Sequence, residues 1–261
     1  KKRAPYINLD CRFPIVGGFI QNRGGVSRHD AVAWGYARQA SAAGVDIIQQ
    51  CEVTGMQSSA SRIIAVETTQ GTISANKFAL CVAGNTSQLA AMAGLRLPIT
   101  SIPLQAMVTE PVRPIFDTCL MSAHIHCYVS QSDRGEIIVG GSADLYNSYA
   151  QRGSLNVHHD TFAALLELLP LFSRLRLMRH WAGVCDMAYD VSPIVGKTPV
   201  ENLYVSTGWG TGGYKAIPAG GETLAYTIAN DQLHDLIKPF QLNRFETGRL
   251  IDEGAASGVA H

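Results

Sequence analysis

The spacing of apolar and polar residues changes several times along the chain, and each change predicts an element. Residues 1–26 mix prolines, glycines and short apolar runs such as "FPIVGGFI", which predicts a strand or two joined by turns. In "SRHDAVAWGYARQASAAG", Val32, Tyr36 and Ala40 share a helical face. Ser27 and Asp30 have capping-box spacing, and Gly44 supplies a stop. "VDIIQQCEVTGMQSS" predicts one or two strands. "RIIAVETTQGTISANKFALCVAGN" predicts a hairpin closed near Gly71, then a fully buried strand at 78–83. "TSQLAAMAG" predicts a short helix ended by Gly94.

Residues 98–150 alternate with period two, as in "HCYVSQSDRGEIIVGG", and predict an antiparallel meander. "HHDTFAALLELLPLFSRL" predicts a helix with its N-cap near His159 or Asp160 and a break at Pro170. A strand, a loop and a strand follow, then a long helix in "PAGGETLAYTIAN" with Pro218 in its first turn. The last segment reads as mostly irregular. Helix and strand segments at both ends thus enclose a β-rich middle. That predicts an α/β (α+β) fold of two domains interleaved along the chain.

Composition narrows the function classes. The 261 residues are 46% apolar and 16% charged, an ordinary globular balance. Twenty-one Lys and Arg offset 21 Asp and Glu, so no basic field exists to attract nucleic acid or an anionic membrane. No apolar stretch approaches the roughly 18–20 residues of a membrane span, and no signal peptide opens the chain. The six cysteines, at 11, 51, 81, 119, 127 and 185, form no C-x-x-C. They predict reduced, buried thiols in a cytoplasmic protein. The chain opens on Lys1 rather than Met, as a fragment or a processed chain would.

The stretch "LYVSTGWGTGGYKAIPAGGETLAYTIA" contains G-x-G-x-x-G at Gly208, Gly210 and Gly213. A dinucleotide fingerprint needs a strand before it, a helix after it and a second parallel strand beyond. The third condition fails, because "DQLHDLIKPFQLNRF" holds no buried strand. The pyrophosphate reading is therefore rejected. What remains is a row of main-chain N–H groups over Gly208, Gly210, Thr211, Gly212 and Gly213, ahead of a helix and beside Lys215. An anion or a developing anion is favoured there. A plain packing turn stays open as the alternative. In "CLMSAHIHC", His124 and His126 fall on one strand face and Cys127 on the other, short of a zinc set, and no metal is expected. Trp34, Trp181 and most methionines read as core.

Several of these segments resemble one family. "ENLYVSTGWGTGGYKAIPAGGE" resembles the C-terminal flavin loop of the amine-oxidising flavoproteins related to D-amino acid oxidase. "HWAGVCDMAYDVSPIVG" resembles the segment before it, and "FALCVAGNTSQLAAMAGLRLPITSIPLQAMVTEP" resembles the family's strand, its turn at Gly84 and its helix. "RGGVSRHDAVAWGYARQASAAGVDIIQQCEVTG" and the tail "FETGRLIDEGAASGVAH" are similar to the β subunits of bacterial heterotetrameric sarcosine oxidases.

The resemblance implies an FAD-binding domain over 27–95 and 183–261, interleaved with a substrate domain over 1–26 and 96–182. The N-terminal strand, Gly-rich fingerprint and helix of such subunits are absent, so this chain resembles their C-terminal two-thirds, with an incomplete FAD site. The implied activity is oxidation of a secondary amine, sarcosine above all, with FAD as cofactor and α-, γ- and δ-like subunits as partners. Negative charge grows at the flavin N1–C2=O edge on reduction, and the loop from Gly210 to Lys215 is implied to face it. Lys215 has a second open role at the substrate carboxylate. Tyr128 and His126, from the middle β-region, are the other candidates for the substrate site. The resemblance also implies a covalent FMN on His29. Attachment needs a neutral imidazole nitrogen, and both the helix-start dipole and Arg28 disfavour the charged ring. A flavin-holding scaffold without oxidase activity, or a sibling dehydrogenase for dimethylglycine, are the alternatives.

Overall fold

A computed structural model describes residues 4–251 except 13, 116 and 123. In chain order it contains helix α1 (His29–Ala42) and strands β1 (Val53–Ser59), β2 (Arg62–Thr68), β3 (Gly71–Ser74) and β4 (Phe78–Leu80). Helix α2 (Thr86–Met92) leads to strands β5 (Ile99–Pro111), β6 (Leu120–Ser122), β7 (Cys127–Gln131) and β8 (Glu136–Ala143). Helix α3 (Leu155–Leu168), strands β9 (Leu177–Ala188), β10 (Ile194–Lys197) and β11 (Leu203–Thr207), and helices α4 (Ile217–Asn230) and α5 (Arg244–Thr247) complete the chain. Two interleaved compact units result. The first is Lys1–Gln49, Gln105–Ser142 and Arg152–Ala182; the second is Gln50–Leu104, Ala143–Gln151 and Gly183–His261. Residues 27–49 therefore group with the first unit, and 96–104 and 143–151 with the second, unlike the expected boundaries. The tail resemblance at 252–261 lies outside the described residues.

The first unit is built on the strand order β6-β7-β8-β5-β9, whose last two strands run on into the second unit. Alternation decides which side is core: Val129 pairs with Val139, and both are buried together with Ile137. Helix α3 covers this face with Val157, Thr161, Leu165 and Leu168, spaced four, four and three apart. Its N-cap is Ser154, whose Oγ accepts from Val157 N–H at 3.4 Å, not His159 or Asp160. The helix starts earlier than expected because a serine cap outcompetes a polar His-His-Asp run that continues the helix.

Two other expectations in this unit fail. No strand forms among the described residues of 4–26, where no neighbouring strand takes up the main-chain groups; Val16 and Phe19 stand exposed. The capping box is also absent. Arg28 is the N-cap of α1, without a side-chain cap, and its guanidinium pairs with Asp30 at 3.2 Å. That engages the carboxylate the box would have turned back. No α1 residue is buried, and Trp34 is 62% exposed rather than core. Of the methionines, only Met107 is fully buried.

In the second unit, β11 lies between antiparallel β10 and parallel β4. Leu203, Tyr204 and Val205 are consecutively buried, as a strand covered on both faces requires. Strand β4 ends at Leu80, short of the predicted 78–83, because Ala83 turns to φ +45° and leads a short 3-10 helix. Strands β1-β2-β3 form a separate antiparallel meander. Of the six thiols, only Cys127 and Cys185 are buried, and burial pushes both up to about 12; Cys81 and Cys119 are exposed. Among the described residues no helix is long and apolar enough to cross a membrane.

Candidate functional site

Strand β11 ends at Thr207, and the chain turns through Gly208 (φ +72°) and Gly210 (φ +53°). Both lie in the left-handed region, where a Cβ is penalised and glycine is not. A 3-10 helix, Gly213–Ala216, then runs directly into α4. Lys215 folds back over this loop: a methyl on Gly212 would lie 3.8 Å from Lys215 Nζ. A full positive charge thus stands over a helix start, where negative charge is favoured.

The loop is not the open row of donors that the sequence suggests. Gly208 N–H donates to Asp186 Oδ2 at 2.6 Å, Gly210 N–H to the Asp186 carbonyl at 2.9 Å and Gly212 N–H to the Trp209 carbonyl at 3.2 Å. A glycine-rich turn keeps one shape only when such groups find partners. Gly213 N–H opens the 3-10 helix, where the first N–H groups have no acceptor within the helix. Lys215 and Thr211 stand exposed, and Gly213 is half-buried.

Other glycines make room for neighbours. A methyl on Gly213 would come within 2.7 Å of Trp209 Cβ, and one on Gly220 within 2.9 Å of Trp209 Cζ2. The indole N–H donates to Ser206 Oγ at 2.9 Å, so Trp209 is wedged beneath the start of α4. Gly84 is buried, and a methyl there would meet Val184 Cγ1 at 2.3 Å and the Val184 carbonyl at 2.6 Å. Close packing of the Ala83–Asn85 turn on β9 by itself requires glycine at this position.

The remaining candidates belong to the first unit. His126 lies in the β6–β7 turn at φ +46°, not on a strand, so His124 and His126 do not share a strand face. The hairpin must reverse there, and its reversal overrides the alternation. Tyr128, the second residue of β7, lies over Gly140: a methyl there would meet its Oη at 2.5 Å. Burial, with the neighbouring Cys119 and Cys127, pushes the Tyr128 phenol up, so it stays a neutral donor at physiological pH. His29, the first residue of α1, is exposed, and Arg28 beside it is engaged by Asp30.

Sequence reading gave no role to Asp186, Thr207 and Thr86, nor to a buried ion pair. Thr207 Oγ1 lies 2.8 Å from Asp186 Oδ2 and 2.9 Å from Thr86 Oγ1. Asp190 and Arg244, 54 positions apart, pair with side chains 2% and 3% exposed. No local spacing announces either arrangement, since both join residues distant in sequence.

Residues 1–227 match the family described as FAD dependent oxidoreductase. The chain belongs to the FAD dependent oxidoreductase family. It is 51% identical over 263 residues to the sarcosine oxidase subunit beta of an Arthrobacter species, a match covering 100% of this chain and 65% of that protein. The sarcosine oxidase subunit beta of Rhodobacter capsulatus is 48% identical over 262 residues, covering 100% and 63%. The chain thus spans a little under two thirds of the length of these relatives. The crystal structure of L-proline dehydrogenase from P. horikoshii shares the fold, with a TM-score of 0.77 at 23% identity over 84% of this chain and 60% of that one. The fold is accordingly that of FAD dependent oxidoreductases, α/β with an antiparallel sheet. An FAD dependent oxidoreductase needs donors where a reduced flavin gathers charge. Gly212, which has no side chain, with Lys215 Nζ beside it leaves space and a positive charge that fit an anionic, flat edge.

Proposed function

We propose that this chain is the flavin-carrying part of an amine oxidase acting on sarcosine, giving glycine and a formaldehyde equivalent. The observation that carries the reading is the Lys215 ammonium beside Gly212 at the start of α4, in a chain of this family. The two relatives named as sarcosine oxidase subunit beta support the substrate and an assembly with other subunits; α-, γ- and δ-like partners and a cytoplasmic location complete the proposal. The second unit would be the FAD-binding part and the first the substrate part. When bound, FAD supplies the acceptor for two electrons from the carbon next to the amine nitrogen.

The chain's own residues then have defined tasks. Lys215 and Gly213 N–H favour negative charge, whether at the flavin edge or on the substrate carboxylate. Tyr128, kept neutral, donates its hydroxyl to a polar substrate group, with His126 at the neighbouring turn. Gly84, Gly208, Gly210 and Thr211 shape the walls rather than donate. His29, exposed at a helix start, carries the FMN covalently.

Lys215→Met is expected to lower amine turnover by about 100-fold, the usual cost of one oxyanion donor, and to weaken carboxylate inhibitors. Steady-state kinetics with sarcosine check this; unchanged turnover and inhibitor affinity remove Lys215 from the site. For His29, protein purified with FMN and FAD and then denatured is expected to keep a yellow, peptide-bound flavin. His29→Ala is expected to abolish that band. Its survival in the variant, or its absence from the parent, rejects the attachment.

A further inference from the structure

Asp186 lies near the end of β9, within the second unit, and is 4% exposed. Its Oδ2 takes a hydrogen bond from Gly208 N–H at 2.6 Å and another from Thr207 Oγ1 at 2.8 Å. Its main-chain carbonyl accepts from Gly210 N–H at 2.9 Å. One residue therefore grips the loop at 207, 208 and 210. With the Thr207 proton on Asp186, Thr207 Oγ1 is an acceptor for Thr86 Oγ1 at 2.9 Å, whose one proton it shares with the Ala83 carbonyl at 2.6 Å. Ser101 Oγ donates to the Gly84 carbonyl, also at 2.6 Å. Asp186 and the two threonines thus bring the glycine loop against the Ala83–Asn85 turn, two segments that separately resemble the family.

Stability alone does not explain a carboxylate at this position. Among the described residues no Lys, Arg or His nitrogen pairs with Asp186. A buried acid without a cation is costly, and an apolar residue would pack at less expense, as Ala188 does two residues on along the same face. A carboxylate does supply short, charge-assisted hydrogen bonds, and a turn through two left-handed glycines has few other restraints.

We propose that Asp186 is a positioning residue: it fixes the loop so that Gly213 N–H and Lys215 meet the flavin. This rests on the flavin reading above, and the test separates the two. Amide hydrogen–deuterium exchange in the wild-type protein, with and without FAD, reports first on the loop itself. FAD is expected to slow exchange at Gly213 and Lys215; no slowing overturns the flavin reading and the proposal with it. In flavin-free Asp186→Leu, exchange at Gly208 is expected to rise about tenfold, the scale of one lost charged hydrogen bond, while β11 amides keep their rates. Asp186→Asn, which keeps an acceptor oxygen without the charge, is expected to fall between the wild type and the leucine variant. Unchanged exchange in Asp186→Leu, or an equal rise across β11, overturns the proposal and leaves the flavin reading standing.

The midpoint potential of bound FAD gives an independent sign. A displaced loop stabilises the reduced flavin less, so the potential falls in Asp186→Leu, whereas Asp186→Asn, which holds the loop and loses only the charge, does not fall. A rise in both variants, which loss of a negative charge alone would give, overturns the positioning role. If the leucine variant does not fold, Thr207→Val removes one arm of the grip at constant shape and is read in the same way.

Discussion

Arg244→Met is expected to lower the unfolding free energy by about 3–5 kcal/mol, the cost of leaving one partner of a buried pair uncompensated. Arg244 Nε meets Asp190 Oδ2 at 2.7 Å and Nη2 meets Oδ1 at 2.8 Å, a two-point fork. The rest of the guanidinium is used as well. Nη2 donates to the Ser192 carbonyl at 2.8 Å, and Nη1 to the carbonyls of Phe240 and Gln241 at 3.1 and 3.2 Å. Methionine fills the volume and satisfies none of these groups. Against a total of about 5–15 kcal/mol for a typical domain, the loss is a large fraction. Chemical denaturation followed by fluorescence checks it; a change below about 1 kcal/mol rejects the structural role, being the range of an exposed pair.

The same pair sets a pH dependence. Burial pushes the Asp190 carboxyl up, but the hydrogen bonds from Arg244, Ile251 N–H and Ser192 N–H outweigh it and hold the group below its ordinary 3.8. A carboxyl lowered in the folded state adds stability that is fully present above its unfolded value. That stability is lost as pH falls through the lower, folded value. The parent should therefore hold this contribution down to pH 3.8 and lose it below, whereas Arg244→Met should show no such acid-dependent drop.

Gly84→Ala is the second large effect, expected to cost about 1–3 kcal/mol, the range for forcing atoms into a filled core. The added methyl would sit 2.3 Å from Val184 Cγ1 and 2.6 Å from the Val184 carbonyl, and the carbonyl is main chain that cannot swing aside. Gly183→Ala is the control, because nothing lies within 4 Å of a methyl there. Thermal melts of the two variants should separate, with Gly84→Ala falling and Gly183→Ala holding. Equal melting temperatures reject the packing account of Gly84.

The two cases differ in what the sequence disclosed. The family resemblance picks out Gly84 by its place at a strand-to-helix turn. Its contact with Val184 lay a hundred residues away and was not readable. Asp190 lies in the segment "HWAGVCDMAYDVSPIVG" that resembles the family, but Arg244 lies in the last segment, whose pattern reads as mostly irregular. The glycine loop shows the same division. Its place between a strand and a helix, and Lys215 beside it, were legible. That three of its N–H groups are taken up inside the protein was not, since two of the acceptors belong to Asp186 on another strand.

Local pattern by itself determined the periodic elements: α4 with Pro218 in its first turn, α2 stopped by Gly94, and the hairpin at Gly71. Those follow from short-range sterics and from one buried face, which a few neighbouring residues specify. Tertiary structure decided where apolar runs had partners. It left 4–26 without a strand and α1 without a buried face, and it ended β4 at Leu80. It also decided which glycines bind and which make room, and which carboxylates are held. Strand pairing, close approach and buried hydrogen bonds need both partners in place, and those partners are set by the path of the whole chain.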